Sequence, residues 1–149
     1  MGERVVITTA KVTKRNYKKC EAQALYTHWC GGYDFMSALL LYCKLHDYPS
    51  PEADAAGYDA LARVINCFCD DDVTHMTIAN KCINPGIDEG VYIVKDWEIV
   101  GRLNFFPIEE YNRYTIAELL PDIDGCQPPD ARLPAEVLAA AVKEASRNA

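Results

Sequence analysis

The spacing of apolar residues along the chain switches between a period of two and a period of three to four, and each stretch predicts one element. From Arg4 to Thr13 the β-branched residues Val5, Val6, Ile7, Thr8, Thr9, Val12 and Thr13 predict a strand. Lys14 to Lys19 is polar and contains Asn16, which predicts a turn, and Cys20 to Trp29 predicts a second strand, antiparallel to the first. Alternation in that strand sets Ala24, Tyr26, His28 and Cys30 on one face and Leu25, Thr27 and Trp29 on the other. Gly31-Gly32 breaks it, and Asp34 is placed to cap a helix by accepting from amides two or three residues on. From Phe35 to Leu45 only Ser37 and Lys44 are polar, so this helix is apolar on all sides and belongs in the core; His46, Asp47 and Tyr48 end it.

Ser50-Pro51 predicts the next helix start, with Ser as cap and Pro at the first helical position. Tyr58, Leu61, Ala62, Ile65, Phe68 and Cys69 recur at helical spacing and form one apolar stripe. His75 to Asn80 predicts a short strand, and Lys81 to Glu89, with Asn84-Pro85-Gly86, a loop. Val91 to Val94 and Trp97 to Leu103 predict a hairpin about Lys95-Asp96. That centre lacks the Gly or Asn a two-residue primed turn prefers, so a longer loop is expected. Its second strand alternates Trp97, Ile99 and Gly101 against Glu98, Val100 and Arg102. Glu109 to Leu120 predicts one short or broken helix. Residues 121–134, with four prolines and Gly125, predict a linker, and Ala135 to Arg147 an alanine-rich helix with little apolar bulk, frayed or engaged with a partner. The expected architecture is a single α+β domain: a mainly antiparallel sheet of about five strands, two principal helices on one face and a helical C-terminal tail. The expected core domain is 1–120, followed by a Pro-containing linker and helix over 121–149.

Composition and charge narrow the partners more than the fold. At 149 residues, half of them hydrophobic, the chain suffices for one ordinary core. The apolar run Phe35–Leu45 falls far short of the roughly 20 residues of a membrane span, and Met1 to Arg4 leads directly into strand-like sequence, so a cytoplasmic location and no membrane partner are expected. Residues 1–19 hold six Lys or Arg against one acid, while residues 20–149 hold nine against 21, a balance of −12. That acidic body argues against general nucleic-acid binding. Lys11, Lys14, Arg15, Lys18 and Lys19 form a basic stretch at the first turn, read as a solvated hairpin tip. Seven irregularly spaced cysteines, an odd count, are expected to be reduced thiols, several serving as small core residues.

Three clusters have chemical content. Cys30 with His28 forms a nucleophile and base candidate at a helix N-terminus. Residues two apart on a flat strand, however, hold their Cβ atoms roughly 6–7 Å apart, and a packed His28 beside Tyr26 and Trp29 is preferred. Cys67, Cys69, His75 and Cys82 are zinc-type ligands, but the spacing C-x-C-x5-H-x6-C lacks a zinc knuckle, and Cys67 and Cys69 are roughly 200° apart on a regular helix. Asp70-Asp71-Asp72 opposes the helix dipole and suits a divalent cation or a basic partner, with a solvated surface preferred. Arg102 is a possible ligand anchor, with an exposed strand charge as the default. No glycine-rich phosphate loop or dinucleotide fingerprint is present, and no cofactor is expected.

Met1-Gly2-Glu3-Arg4-Val5-Val6-Ile7, Tyr26-Thr27-His28-Trp29-Cys30-Gly31-Gly32, Ala62-Arg63-Val64-Ile65 and Gly90-Val91-Tyr92-Ile93-Val94 with Trp97 together resemble a loose group of small bacteriophage and mobile-element proteins. The resemblance covers roughly residues 1–100 and implies a common fold without an activity to carry over. That pattern carries Gly or Asn where Cys30 stands, which weighs against a catalytic thiol. The resemblance implies a non-enzymatic binding protein that inhibits or sequesters a host defence component. Its partner would be a basic or nucleic-acid-binding protein surface, or a small nucleotide, met through Tyr26, His28, Trp29 and Arg102. The competing expectations are a Cys30/His28 hydrolase or transferase and a zinc-stabilised interaction module.

Overall fold

The computed structural model describes residues 4–13, 15, 16, 19, 21–70, 73–77, 89–103 and 113–148. They form an α+β domain in the order β1 (Val5–Thr8), β2 (Gln23–Thr27), α1 (Tyr33–Leu45), α2 (Ala56–Cys69), β3 (Thr74–Thr77), β4 (Val91–Lys95), β5 (Glu98–Leu103), α3 (Ile116–Cys126) and α4 (Ala135–Arg147). A 3-10 turn at Pro129–Ala131 joins the last two helices. The sheet order is β3-β2-β1-β4-β5. Three of its pairings are antiparallel, as expected, and the fourth, between the central strand β1 and β4, is parallel. The sheet is therefore mixed.

The main core lies between the sheet and the helices. Val5, Ile7 and Leu25 meet Met36, Leu39 and Leu40 of α1, Leu61 and Ile65 of α2, and Leu120 and Ile123 of α3, all 0 or 1% exposed. The α2 stripe read from the sequence is the face that packs inward. On the opposite sheet face Val6, Val12, Ala24 and Val91 make a smaller cluster with Tyr26 and Leu103 against it. The helix Ala135–Arg147 has the expected bounds; none of its residues is fully buried, but Val137, Leu138, Ala141 and Val142 pack on the main core.

Several expectations are corrected. The first two strands are shorter than Arg4–Thr13 and Cys20–Trp29. Asp34 sits inside α1, not at its cap; Gly32 is the cap and makes no side-chain bond. Ser50-Pro51 opens a turn, with Ala53 N donating to Ser50 O, and α2 begins only at Ala56. Gly57 passes so close to this turn that a Cβ there would lie 2.4 Å from Pro49 O. The β4–β5 turn needs only Asp96 and Trp97, both at positive φ (51° and 60°). The strain is held by burial of Trp97, whose Nε1–H donates to Tyr48 O at 2.9 Å, and by Asp96 N–H donating to Glu52. Residues 121–134 are no linker: α3 runs through Pro121 to Cys126, and Ile123 and Leu133 enter the core. A capping box starts α3, with Thr115 Oγ1 accepting from Glu118 N and Glu118 accepting from Thr115 N. The expected loop 81–89 falls outside the described residues except for Glu89, and so does 109–112, the start of the expected helix 109–120.

Candidate functional site

The β2–α1 corner gathers the aromatic residues read from the sequence. Strand β2 ends at Thr27, and the chain bends at His28 and Trp29. Tyr26 Oη and His28 Nδ1 lie 3.2 Å apart, and the His28 and Trp29 rings meet edge to face with centroids 4.5 Å apart. Trp29 remains 54% exposed, whereas Tyr26 and His28 are half-buried. A large ring held by its neighbours yet open to solvent loses little side-chain freedom when a partner covers it. The same bend sends Cys30 away from His28. Tyr26 lies on the outer sheet face, while Cys30 is 2% exposed in the main core beside Leu25. The same-face pairing of His28 and Cys30 expected from alternation is thus overturned.

Cys30 is instead bonded to Cys69 at the C-terminal end of α2, with Cα atoms 6.5 Å apart. This corrects the expectation that all cysteines are reduced and leaves no thiol at Cys30 for catalysis while the bond is closed. The start of α1 is also poor for an anion. Asp34, 7% exposed, accepts from Phe35 N at 2.8 Å with one oxygen and from Arg113 N and Tyr114 N at 3.0 and 3.2 Å with the other. The zinc set does not assemble. Cys69 is in the disulfide, Cys67 is exposed, His75 Nε2 lies 3.5 Å from Asp59, and Cys82 is outside the described residues. Among the described residues no group of three or more His, Cys, Asp or Glu is placed to hold a metal ion.

Arg102 is not the exposed strand charge expected by default. A register shift between Ile93 and Val94 pairs Ile93 with Gly101 but Val94 with Ile99, so Val100 bulges out, 58% exposed. The extra residue reverses the alternation, and Arg102 joins Ile99 on the helix-facing side. There its guanidinium lies 5.1 Å from the Tyr92 ring and 5.8 Å from Tyr33, and Nη2 donates to Glu89 at 2.7 Å. Tyr92 in turn donates to Gly31 O at 2.7 Å. Arg102 therefore stands behind the corner as a support for Gly31, not as a surface anchor.

Two features had no signal in local sequence. The first is a buried polar junction. Tyr42 Oη donates to Asp124 Oδ1 at 2.6 Å, and Leu133 N donates to the same oxygen at 2.9 Å. Burial, and then the Asp124 carboxylate, push the Tyr42 hydroxyl well above its ordinary range. His46 stacks on Tyr48 with ring centroids 4.8 Å apart; burial lowers its pKa, against an opposing pull from Asp124 and the Ala131 carbonyl. The second is a groove across α1. A cavity of about 620 Å³ toward α4 and another of about 680 Å³ toward β5 share Leu41, Ile116 and Glu144. Compared with protein-family models, curated proteins and solved structures, the chain matches none. No described helix is long and apolar enough to cross a membrane.

Proposed function

We propose that this chain is a non-enzymatic binding protein that occupies a basic, nucleic-acid-binding surface of a host component, in keeping with the mobile-element resemblance of its sequence. The observation that carries this is Trp29, 54% exposed and braced edge to face by His28. Tryptophan is the residue type most often found dominating an interface when a partner desolvates it. The Cys30–Cys69 bond also brings the backbone around Trp29 close to the exposed Asp70, the first of three successive acids. An aromatic anchor beside negative charge suits a basic protein surface. The test is immobilised protein presented at low salt to nuclease and CRISPR-type defence complexes, with and without their nucleic acid. Binding that nucleic acid displaces, and that Trp29→Ala weakens at least about tenfold, is the expected result. No binding to any complex at low salt, or equal binding by Trp29→Ala, overturns it.

A second proposal rests on the groove across α1, whose two cavities of about 620 and 680 Å³ are each of ligand size. Here the ligand is a small nucleotide, with Tyr33 offering a ring and Lys44 a cation at the margin of the larger cavity. Calorimetric titration with mono- and cyclic dinucleotides tests it: saturable heat that Lys44→Glu abolishes supports a nucleotide site, and absence of heat for the whole panel removes it.

A further inference from the structure

We infer that the Cys30–Cys69 bond is a reversible clamp, opened and closed by exchange with a small thiol–disulfide couple of the glutathione class. The fold has a core without it. Cys30 is one small residue in a cluster that already contains the buried faces of α1, α2, α3 and the sheet, so the bond is an addition to a domain of sufficient size. Cys67 and Cys126 are exposed and unbonded, and Cys43 is buried and unbonded. Two exposed free thiols in one chain suit a reducing environment better than an oxidising one, and in a reducing environment a protein disulfide is a switch more often than a staple.

The two ends of the bond differ in access. Cys30 is 2% exposed, whereas Cys69 is partly exposed on the last turn of α2. Exchange therefore begins at Cys69. In closing, the Cys69 thiolate attacks one sulfur of glutathione disulfide, whose S–S bond breaks, and one glutathione leaves as its thiolate. The Cys30 thiolate then attacks the Cys69 sulfur and expels the second glutathione. Two protein thiols are oxidised and one glutathione disulfide is reduced to two glutathiones, whose sulfurs take up the two thiol protons. Opening is the reverse, with reduced glutathione attacking the Cys69 sulfur and Cys30 leaving.

What the clamp holds is a helix end that its own sequence disfavours. Asp70 caps α2 at φ 49° and begins a run of three acids at the negative end of the helix dipole. Four residues beyond, β3 is, among the described residues, an edge strand paired only with β2. Opening the bond frees this end to fray and loosens the β3 edge, whatever partner the chain binds.

The experiment equilibrates the folded chain in glutathione buffers from mainly oxidised to mainly reduced, traps thiols by alkylation, and reads the products by mass. Cys30 and Cys69 are expected to titrate together between bonded and alkylated forms, while the exposed Cys67 passes only between a glutathione adduct and the alkylated form. Hydrogen exchange in the last turn of α2 and in β3 is expected to quicken roughly tenfold or more in the reduced form, with β4 and β5 unchanged. Cys30→Ser is expected to retain a glutathione on Cys69, and Cys69→Ser to retain none on Cys30. A pair that stays bonded in mainly reduced glutathione, or never bonds in the oxidised buffer, overturns the clamp, and so does a glutathione adduct on Cys30.

Discussion

Tyr42 comes from the middle of the most apolar run in the chain, and its hydroxyl is nonetheless committed to Asp124, 82 residues away. Tyr42→Phe removes that donor and leaves the buried carboxylate with Leu133 N as its remaining hydrogen bond to that oxygen. The expected cost is about 1–3 kcal/mol of unfolding free energy, read from urea denaturation; a change under about 0.5 kcal/mol would mean water reaches Asp124. The shifts on this junction set both limbs of the pH profile. Tyr42 has a folded pKa above its unfolded value, so its contribution is complete below the ordinary tyrosine range and is lost as pH rises beyond it. His46 has a folded pKa below its unfolded value, so its contribution is complete above about 6.5 and is lost as pH falls through the lowered folded value. His46→Phe is therefore expected to flatten the acid limb in thermal denaturation scans; an unchanged limb assigns it to other groups. None of this was legible in the sequence. Tyr42 counted there as one apolar residue among many, and Asp124 fell among prolines that pointed to a linker, because local spacing carries no information about partners 82 residues apart.

The elements themselves were more legible, wherever periodicity alone decides them. The stripe Tyr58, Leu61, Ala62, Ile65 is the buried face of α2, and Ala135–Arg147 is a helix with the bounds read from its composition. Errors arose where one residue changes the geometry of its neighbours. The β5 bulge at Val100 flips Arg102 inward, the bend at His28 and Trp29 turns Cys30 into the core, and burial of Trp97 sustains a turn that lacks glycine. Pro121 suggested a helix end, but the Thr115–Glu118 capping box secures the turn before it and α3 continues. Thr115→Ala is expected to cost about 1 kcal/mol, measured by thermal or urea unfolding, with Glu118→Ala giving part of the same loss. The disulfide joins elements 39 residues apart in sequence. In the chain-entropy picture, reduction lowers stability by about 4 kcal/mol. Urea unfolding with and without a phosphine reductant checks this, and Cys30→Ser should erase the difference between the two curves. Equal stability of the two redox forms in the wild-type chain would mean that the unfolded state gains nothing from release of the loop.

Across the whole molecule, charge and anchor are separable, and each would leave its own mark on the binding proposed above. Residues 20–149 carry 21 acids against nine Lys or Arg, a field that on the proposed reading steers a basic partner toward the chain before any contact forms. Trp29, 54% exposed, would on the same reading act only at short range, after encounter. If the chain binds a basic protein surface as proposed, the association rate should fall steeply as salt rises past the point where the Debye length shrinks to about 8–10 Å. Trp29→Ala should leave that dependence unchanged and raise the dissociation rate, at a cost of about 2 kcal/mol or more. Reversing charge beside the corner with Asp70→Lys should do the converse, slowing association chiefly at low salt. Surface plasmon resonance at several salt concentrations reads both rates for the three proteins. A Trp29→Ala variant that changes only the association rate would place the ring outside the contact, and wild-type rates indifferent to salt would remove the acidic body from recognition. Charge asymmetry is the part of this that sequence alone reveals, because a sum over residues needs no geometry. The exposed ring became visible only once the bend after Thr27 had turned Trp29 outward and Cys30 in.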